Sequence, residues 1–319
     1  MVSDTGGLQD HSFNFEAYAG LKQAASVNKT IEVQQVTSVT RDDYFKHIEA
    51  YASGGCDLIV AVGVAMTNAA IESAKLHPSQ KYILFDGNST PPGIKGIQFN
   101  TAQSAFLAGY LAAGMTKTGK VATFGGANFE SVRIKMDGFW EGVTYYNKEH
   151  QKDVKILGWD VPSQNGTFAP GQSFTDIEGG RQITKRFQDE GADIVLPVAG
   201  GTGKGALEQA LDSGGKLSVI WTDTDGYFSN PDYRSVFLTS IVRDISSTVS
   251  TVVDKAAKGD FNAAKFIGDL ANKSTDLAPF HDYEDKVPSS LVAELSVVRQ
   301  GIISGGITIS SPNQPKAGP

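Results

Sequence analysis

The sequence predicts an α/β protein of two similar lobes, each built on a parallel sheet. Three observations predict it. Apolar runs of strand length alternate with stretches of helical periodicity, which is the signature of βαβ units. The rhythm restarts after Phe99 and runs through a second time. The chain has 319 residues, comfortable for two lobes and large for one.

In the first lobe, "IEVQQV" (31–36), "DLIVAVG" (57–63), "KYILFD" (81–86) and "IKGIQF" (94–99) read as strands. Helical patterns at 13–26, 42–53 and 67–76 lie between them. The opening "MVSDTGG" reads as the end of a strand rather than its beginning. The expectation is therefore that the natural protein starts earlier, and the missing targeting segment carries no information. In the first helix Ala17, Leu21, Ala24 and Ala25 share one face. Phe13 falls near that face and Phe15 nearly opposite, so only one of them can be core.

The second lobe repeats the alternation. A helix at 102–115 leads to strand "KVATFGG" (120–126), helix 131–149, strand "VKILGWDV" (154–161) and helix 177–190. Strand "ADIVLPVAGG" (192–201), helix 203–213 and strand "LSVIWTD" (217–223) follow. A final stretch holds a strand at 235–240, helices at 243–258 and 288–303, and a strand "GITI" at 306–309. The late return divides the chain into residues 1–101 with 241–275, and 102–240 with 276–319. The Pro- and Gly-rich tail "SSPNQPKAGP" reads as loose.

Apolar residues make up 40% of the chain, enough for real cores, and the net charge is -7. An acidic balance argues against a nucleic-acid surface. No apolar run reaches the 18 residues that a membrane-spanning helix requires. The single cysteine, Cys56, has no His or basic neighbour and reads as a buried, inert thiol.

Ligands of parallel sheets bind beyond the carboxyl ends of the strands, so two such lobes predict a cleft lined by strand ends. The candidates are Asp4, Gly63, Asp86, Gly125, Gly200 and Asp223. A strand-end aspartate offers two acceptor oxygens that suit a vicinal diol, or else it caps the next helix. Paired carboxylates also serve glycosidases, but those enzymes do not usually take a two-lobed layout. "AGGTGKGA" (199–206) fails as a phosphate loop: Val198 stands where the first Gly is needed, and Gly205 replaces the magnesium-binding Ser or Thr. It reads as a turn whose backbone N–H groups face a ligand, or as a plain tight turn.

The five histidines show no metal-ligand spacing, and neither a metal nor a cofactor is expected. Asp10-His11-Ser12 is a polar turn, not a triad, because triad members meet in space. Asp10 or Ser12 would cap the first helix. Phe13 either stacks on a flat ligand or joins the core. Trp221 shares strand parity with Asp223, pointing both to one sheet face, and a tryptophan so placed is usually core. Arg243 is either an ordinary surface arginine or a bridge to a ligand hydroxyl or a strand-end aspartate.

Six segments occur in order: "VSDTGGLQDHSFN", "AVGVAMTNA", "QSAFLAGYLAAGMTKTGKVATFGG", "GADIVLPVAGGTGKGALEQA", "VIWTDTDGY" and "FLTSIVRDI". With them the chain resembles the basic membrane protein family of bacterial substrate-binding lipoproteins, which includes purine nucleoside receptors. The resemblance covers nearly all of residues 2 to 305. It implies a type I periplasmic-binding-protein fold: two Rossmann-like lobes with a hinge and an interlobe cleft. It further implies a nucleoside-like ligand held without turnover, delivery to an ABC permease, and a monomer. Export and lipid anchoring through an N-terminal Cys absent from this chain are also implied.

Residue by residue, Asp4 matches the acid that binds the nucleobase edge, Phe13 the ring that stacks on the base, and Asn14 a neighbouring polar contact. Asp223 matches the acid that grips the ribose hydroxyls, and Gly201 lies in the turn that approaches the sugar. Gly63 and Met66, in "AVGVAMTNA", complete the expected ligand set with Asp86 and Gly200. Two positions depart from the family pattern. Arg243 stands where a Lys is usual, changing reach and shape but not charge. Leu196-Pro197-Val198 stands where a second stacking aromatic is expected, and Trp221 is the candidate for the missing face.

Competing readings are another flat ligand (a free purine base, a flavin or a modified sugar), a nucleoside hydrolase, or a sensor. A hydrolase would need a D-x-x-x-D-D metal cluster, which the sequence lacks. A sensor would need an additional signalling or DNA-binding module, and no segment is left over to be one.

Overall fold

The computed structural model describes residues 1–87 and 93–316. The chain passes four times between two compact units. Unit 1 comprises Met1–Phe99, Asp244–Gly268 and the end of the chain from Pro315; unit 2 comprises Asn100–Arg243 and Asp269–Gln314. Residues 269–275 therefore go with unit 2, and Pro315 and Lys316 with unit 1, unlike the division expected from the sequence.

Unit 1 begins with β1 (Val2–Ser3), α1 (Phe13–Val27), β2 (Val36–Thr37), α2 (Asp43–Ser53), β3 (Leu58–Val62), α3 (Thr67–Leu76), β4 (Lys81–Phe85) and β5 (Ile94–Phe99). The chain then enters unit 2 with α4 (Ala102–Met115), β6 (Lys120–Gly125), α5 (Glu130–His150), β7 (Lys155–Leu157), β8 (Trp159–Asp160) and β9 (Asn165–Gly166). It continues through α6 (Ile177–Asp189), β10 (Ile194–Val198), α7 (Lys204–Asp212), β11 (Ser218–Asp223), α8 (Gly226–Ser229) and β12 (Phe237–Arg243). Next, α9 (Ile245–Ala257) and β13 (Phe266–Gly268) return to unit 1, and β14 (Thr275–Leu277) and α10 (Ser289–Ile303) close unit 2.

The sheet of unit 1 runs β13-β5-β4-β3-β1-β2 and is parallel throughout. That of unit 2 runs β14-β12-β11-β10-β6-β7, parallel except for β14, which is antiparallel to β12. Strand order thus reverses between β1 and β3 in one unit and between β6 and β10 in the other, and such switch points are where doubly wound sheets hold ligands.

Strands buried on both faces are apolar at successive positions. In β3, Val60 and Val62 pack with Ala17, Leu21 and Ala24 of α1 and with Ile245, Val249 and Val253 of α9. The alternate residues, Ile59 and Ala61, pack with Tyr44 and Ile48 of α2 and Ala70 of α3. In unit 2, α4 and α5 press so closely together that a Cβ at Gly109 would overlap the backbone of Phe139. That contact explains why α4, "AQSAFLAGYLAAGM", is small-residue-rich and buried almost all round.

Several expected elements change. Residues 31–35 are not strand, and only Val36–Thr37 pairs with β1. The strand expected at 154–161 breaks at Gly158, whose φ of +84° ends β7 and allows the β8–β9 hairpin. The strand expected at 192–201 stops at Val198, and Gly200–Gly203 forms a 3-10 turn. β12 runs to Arg243, beyond the expected end at 240, and the expected strand at 306–309 does not form. Cys56 is half-exposed rather than buried, because it lies in the loop before β3.

The tail is not loose as far as it is described. Ser311 and Asn313 donate to the fully buried carboxylate of Asp137, which also accepts from Trp159 Nε1 at 2.9 Å and Gln164 Nε2 at 2.8 Å. Residues 317–319 of the expected loose tail lie outside the described residues.

Candidate functional site

The switch point of unit 1 holds Asp4, one residue past β1, and Gly63, one residue past β3. Asp4 Oδ1 accepts from the Gly6 amide at 2.9 Å and from Asn14 Nδ2 at 2.8 Å. Oδ2 accepts from no group among the described residues and faces Gly63, where an added Cβ would stand 2.9 Å from it. Gly63 also has φ of +124°, so two independent reasons call for glycine there.

Asn14 lies between two acids. Its Nδ2 donates to Asp10 Oδ2 at 3.0 Å as well as to Asp4, and its Oδ1 accepts from the Asp4 amide at 3.3 Å. Its amide is thus committed to orienting Asp4. Asp10 is the cap of α1: its carboxylate accepts from the amides of Ser12, Asn14 and Phe15 at 3.0, 2.8 and 3.2 Å. A carboxylate at a helix N-terminus is favoured by the unpaired N–H groups and the helix dipole.

Burial pushes the Asp4 carboxyl up to about 6, against the lowering effect of its bonds to Asn14 and Gly6; the charges of Asp10 and Asp86 add to the rise. Burial also raises Asp10, again opposed by its hydrogen bonds. Among the described residues no Lys or Arg forms an ion pair with either acid. Phe13 is half-buried, edge-on to Phe85 at 6.1 Å, while Phe15 is 43% exposed. Asp86, at the end of β4, has φ of +57° and donates its amide to Ile97. Met66 is fully buried among Tyr44, Ile59 and Leu84 and presents no surface to a ligand, contrary to its expected place in the site.

In unit 2 the position equivalent to Asp86 is Asp223, at the end of β11, with φ of +75°. Two cations hold it: Arg243 Nε, from the end of β12, at 2.7 Å, and Lys135 Nζ, from α5, at 3.2 Å. All three residues are more than nine-tenths buried. Burial would raise the Asp223 carboxyl, but the charges of Arg243 and Lys135 and their hydrogen bonds together hold it below the usual carboxylate range. Of the two readings of Arg243, the bridge to a strand-end aspartate is the one realised.

Trp221 does not share the surroundings of Asp223. The left-handed backbone at Asp223 interrupts the strand's alternation, and the indole packs at 6.2 Å from Phe237 and against Gly203 and Gly226, 1% exposed. Its N–H finds no hydrogen-bond partner among the described residues. The stacking role expected of Trp221 therefore gives way to a core role. Leu196 is likewise wholly buried, in the core below α4 and α5. Gly200, with φ of +52°, and Gly201 are half-buried at the end of β10, where the side chain of Phe174 lies over Gly200 and its carbonyl accepts from Thr202.

That loop also shows what sequence reasoning missed. Phe174 and Phe129 stack at 6.3 Å with 17° between their planes, both half-buried at the unit 2 switch point beside Gly126 and Gly200. They come from loops, which carry no periodicity. Lys135 did leave a signal: it sits among Val132, Met136 and Phe139 on the apolar stripe of α5, where a lone cation demands a partner. Among the described residues no group of three or more His, Cys, Asp and Glu side chains is placed to hold a metal.

Residues 1–311 match the family model described as the PnrA-like ABC transporter substrate-binding protein, Bmp. The chain belongs to this family. Basic membrane protein A of Borreliella burgdorferi is 29% identical to this Bmp-family chain, over 82% of it and 73% of the relative. The ABC transporter nucleoside-binding protein BmpA of Lactococcus lactis is 25% identical over 98% and 88%. The crystal structure of an ABC transporter solute-binding protein from Aeropyrum pernix K1 superposes with a TM-score of 0.85 at 22% identity, covering 98% of this chain and 92% of that one. The fold is that of type I periplasmic binding proteins of ABC systems. As a Bmp-family substrate-binding protein the chain takes a small-molecule ligand and serves a permease. No helix among the described residues is long and apolar enough to cross a membrane.

Proposed function

We propose that this Bmp-family protein captures a nucleoside, with a purine base, and releases it unconverted. The observation that carries the reading is the opposite electrostatic character of the two strand-end sites. The Asp4 site offers an acceptor oxygen, Oδ2, with two acids and no paired cation, which suits the N–H donors on a base edge. The Asp223 site joins one carboxylate to two cations, which suits the hydroxyls and ring oxygen of a sugar, groups that both donate and accept. Phe13, half-buried near Asp4, offers an aromatic face for a base in unit 1, and in unit 2 Phe174, half-buried beside Gly200, offers one where Trp221 does not. The name of the Lactococcus lactis relative agrees with this ligand class. The reading carries with it a lipid-anchored monomer working outside the cytoplasmic membrane.

A thermal-shift panel tests it, since a ligand that binds only the folded state raises Tm by mass action. Inosine, guanosine and adenosine are expected to stabilise more than their free bases, ribose or riboflavin. Incubation with inosine should yield no free base. Stabilisation by riboflavin or ribose alone, or release of base, would overturn the proposal.

A further inference from the structure

One loop of unit 2 carries an aromatic ring without a ladder to hold it. Residues 167–176 join β9 to α6, and beyond the bridge at Phe168 they belong to no sheet. Gly171 and Gln172 take left-handed backbone, with φ of +65° and +56°. Connecting backbone of this kind is mobile unless something ties it down. Phe174 nevertheless has a defined seat. Its ring lies against Gly126, where an added Cβ would overlap it, and runs nearly parallel to the ring of Phe129.

The tie is Thr202, in the 3-10 turn after β10. Its amide donates to the Phe174 carbonyl at 3.0 Å. Its hydroxyl donates to the Ser173 carbonyl at 3.0 Å and accepts from the Asp176 amide at 2.9 Å. One fully buried residue thus holds three of the four backbone positions 173–176. A hydroxyl suits the task because one oxygen both donates and accepts. An added Cβ at Gly201 would stand 2.9 Å from the Phe174 carbonyl, so a glycine in the turn lets the two loops approach closely enough for these bonds. The far end of the segment is anchored too: Asp176 caps α6 by accepting from the Gly179 amide at 2.9 Å. The backbone that aims the Phe174 side chain is therefore fixed on both sides of it.

We propose that Thr202 is a positioning residue for ligand capture: it clamps residues 173–176 and so presets the ring of Phe174 as an aromatic wall before a nucleoside arrives. This role rests on Phe174 offering a face to the base, as in the proposed function. A ring that is already fixed loses less freedom when a base stacks on it, which is the general advantage of a preorganised site. Thr202 acts through Phe174.

The test is a double-mutant cycle in the full chain, read by calorimetric titration with inosine well below the Tm of each protein. Thr202→Val keeps the size and the amide bond but loses both hydroxyl bonds; it should weaken binding about fivefold, a coupling expected of residues in contact. Thr202→Ala breaks the same bonds without added bulk and should weaken binding alike, and Thr202→Ser should restore the parental affinity. In a Phe174→Ala background, Thr202→Val should cause no further loss. Without ligand, Thr202→Val should quicken exchange of the Asp176 amide about tenfold and shift the ring signals of Phe129 and Phe174 in NMR spectra. Unchanged affinity in Thr202→Val, or a loss that adds in full to that of Phe174→Ala, would overturn the positioning role and leave Phe174 its own. No effect of Phe174→Ala on affinity would instead sink the aromatic role of Phe174, and the positioning role with it.

Discussion

Asp4 and Asp223 occupy strand ends in two sheets of the same winding, yet they are held in opposite ways. Asp4 is held by neutral donors and shares Asn14 with a second acid. Asp223 is held by two buried cations. In consequence the first carboxyl is pushed up and the second is held down. A shared topology therefore sets where an acid stands, and the side chains arriving from neighbouring elements set what that acid can do.

Removing the acid of unit 2 is the harshest way to break this comparison. Asp223→Ala takes away the carboxylate with which the buried Lys135 and Arg243 pair, a loss of about 3–5 kcal/mol in urea unfolding. A much smaller loss would mean the pair is solvated. In unit 1 the corresponding structural acid is Asp10, not Asp4. Asp10→Ala removes the acceptor for three amides of the α1 start and should cost about 2 kcal/mol in the same measurement.

The pH dependence sharpens the contrast further. The folded carboxyl of Asp4 lies near 6 against an ordinary 3.8, so its contribution to stability is fully present below about 3.8 and is lost as pH rises through about 6. Asp4→Asn should therefore stabilise the ligand-free protein by up to about 2 kcal/mol at pH 7, fading below pH ~4, while weakening nucleoside binding. Asp223 has the opposite sign: its contribution is present above the ordinary carboxylate pKa and is lost as pH falls through the lowered folded value. Thermal melts of Asp4→Asn and the parent across pH 3.5–8 would show whether the two curves converge in acid, as required.

The smallest effect separates the aromatics. Phe174→Ala should lower nucleoside affinity about tenfold, roughly 1.4 kcal/mol, with little change in Tm. Trp221→Phe should lower Tm and leave affinity alone, because its ring is packed within the core. Calorimetric titration showing the reverse pattern would return the stacking role to Trp221.

The positions of Asp4, Gly63, Asp86 and Asp223 at strand ends were legible because strands are short apolar runs and the residue that ends each run is visible in one dimension. What holds those residues was not legible. Asp223 meets Lys135 from 88 positions earlier in the chain and Arg243 from 20 later, and nothing in local spacing links them. Trp221 shows the same limit from the other side. Parity along β11 put it with Asp223, but a left-handed residue at the strand end turned the two apart.

By itself the sequence determined the alternation of strands and helices, the winding of two parallel sheets, and family membership, because periodicity and motif order are local and repeat along the chain. Only the tertiary structure decided that Asn14 is spent on orienting Asp4, that Met66 and Leu196 are core, that residues 31–35 stand apart from the sheet, and that the tail docks on Asp137. Those outcomes depend on which distant side chains arrive at one point in space, where burial and charge are set by neighbours that the order of residues does not reveal.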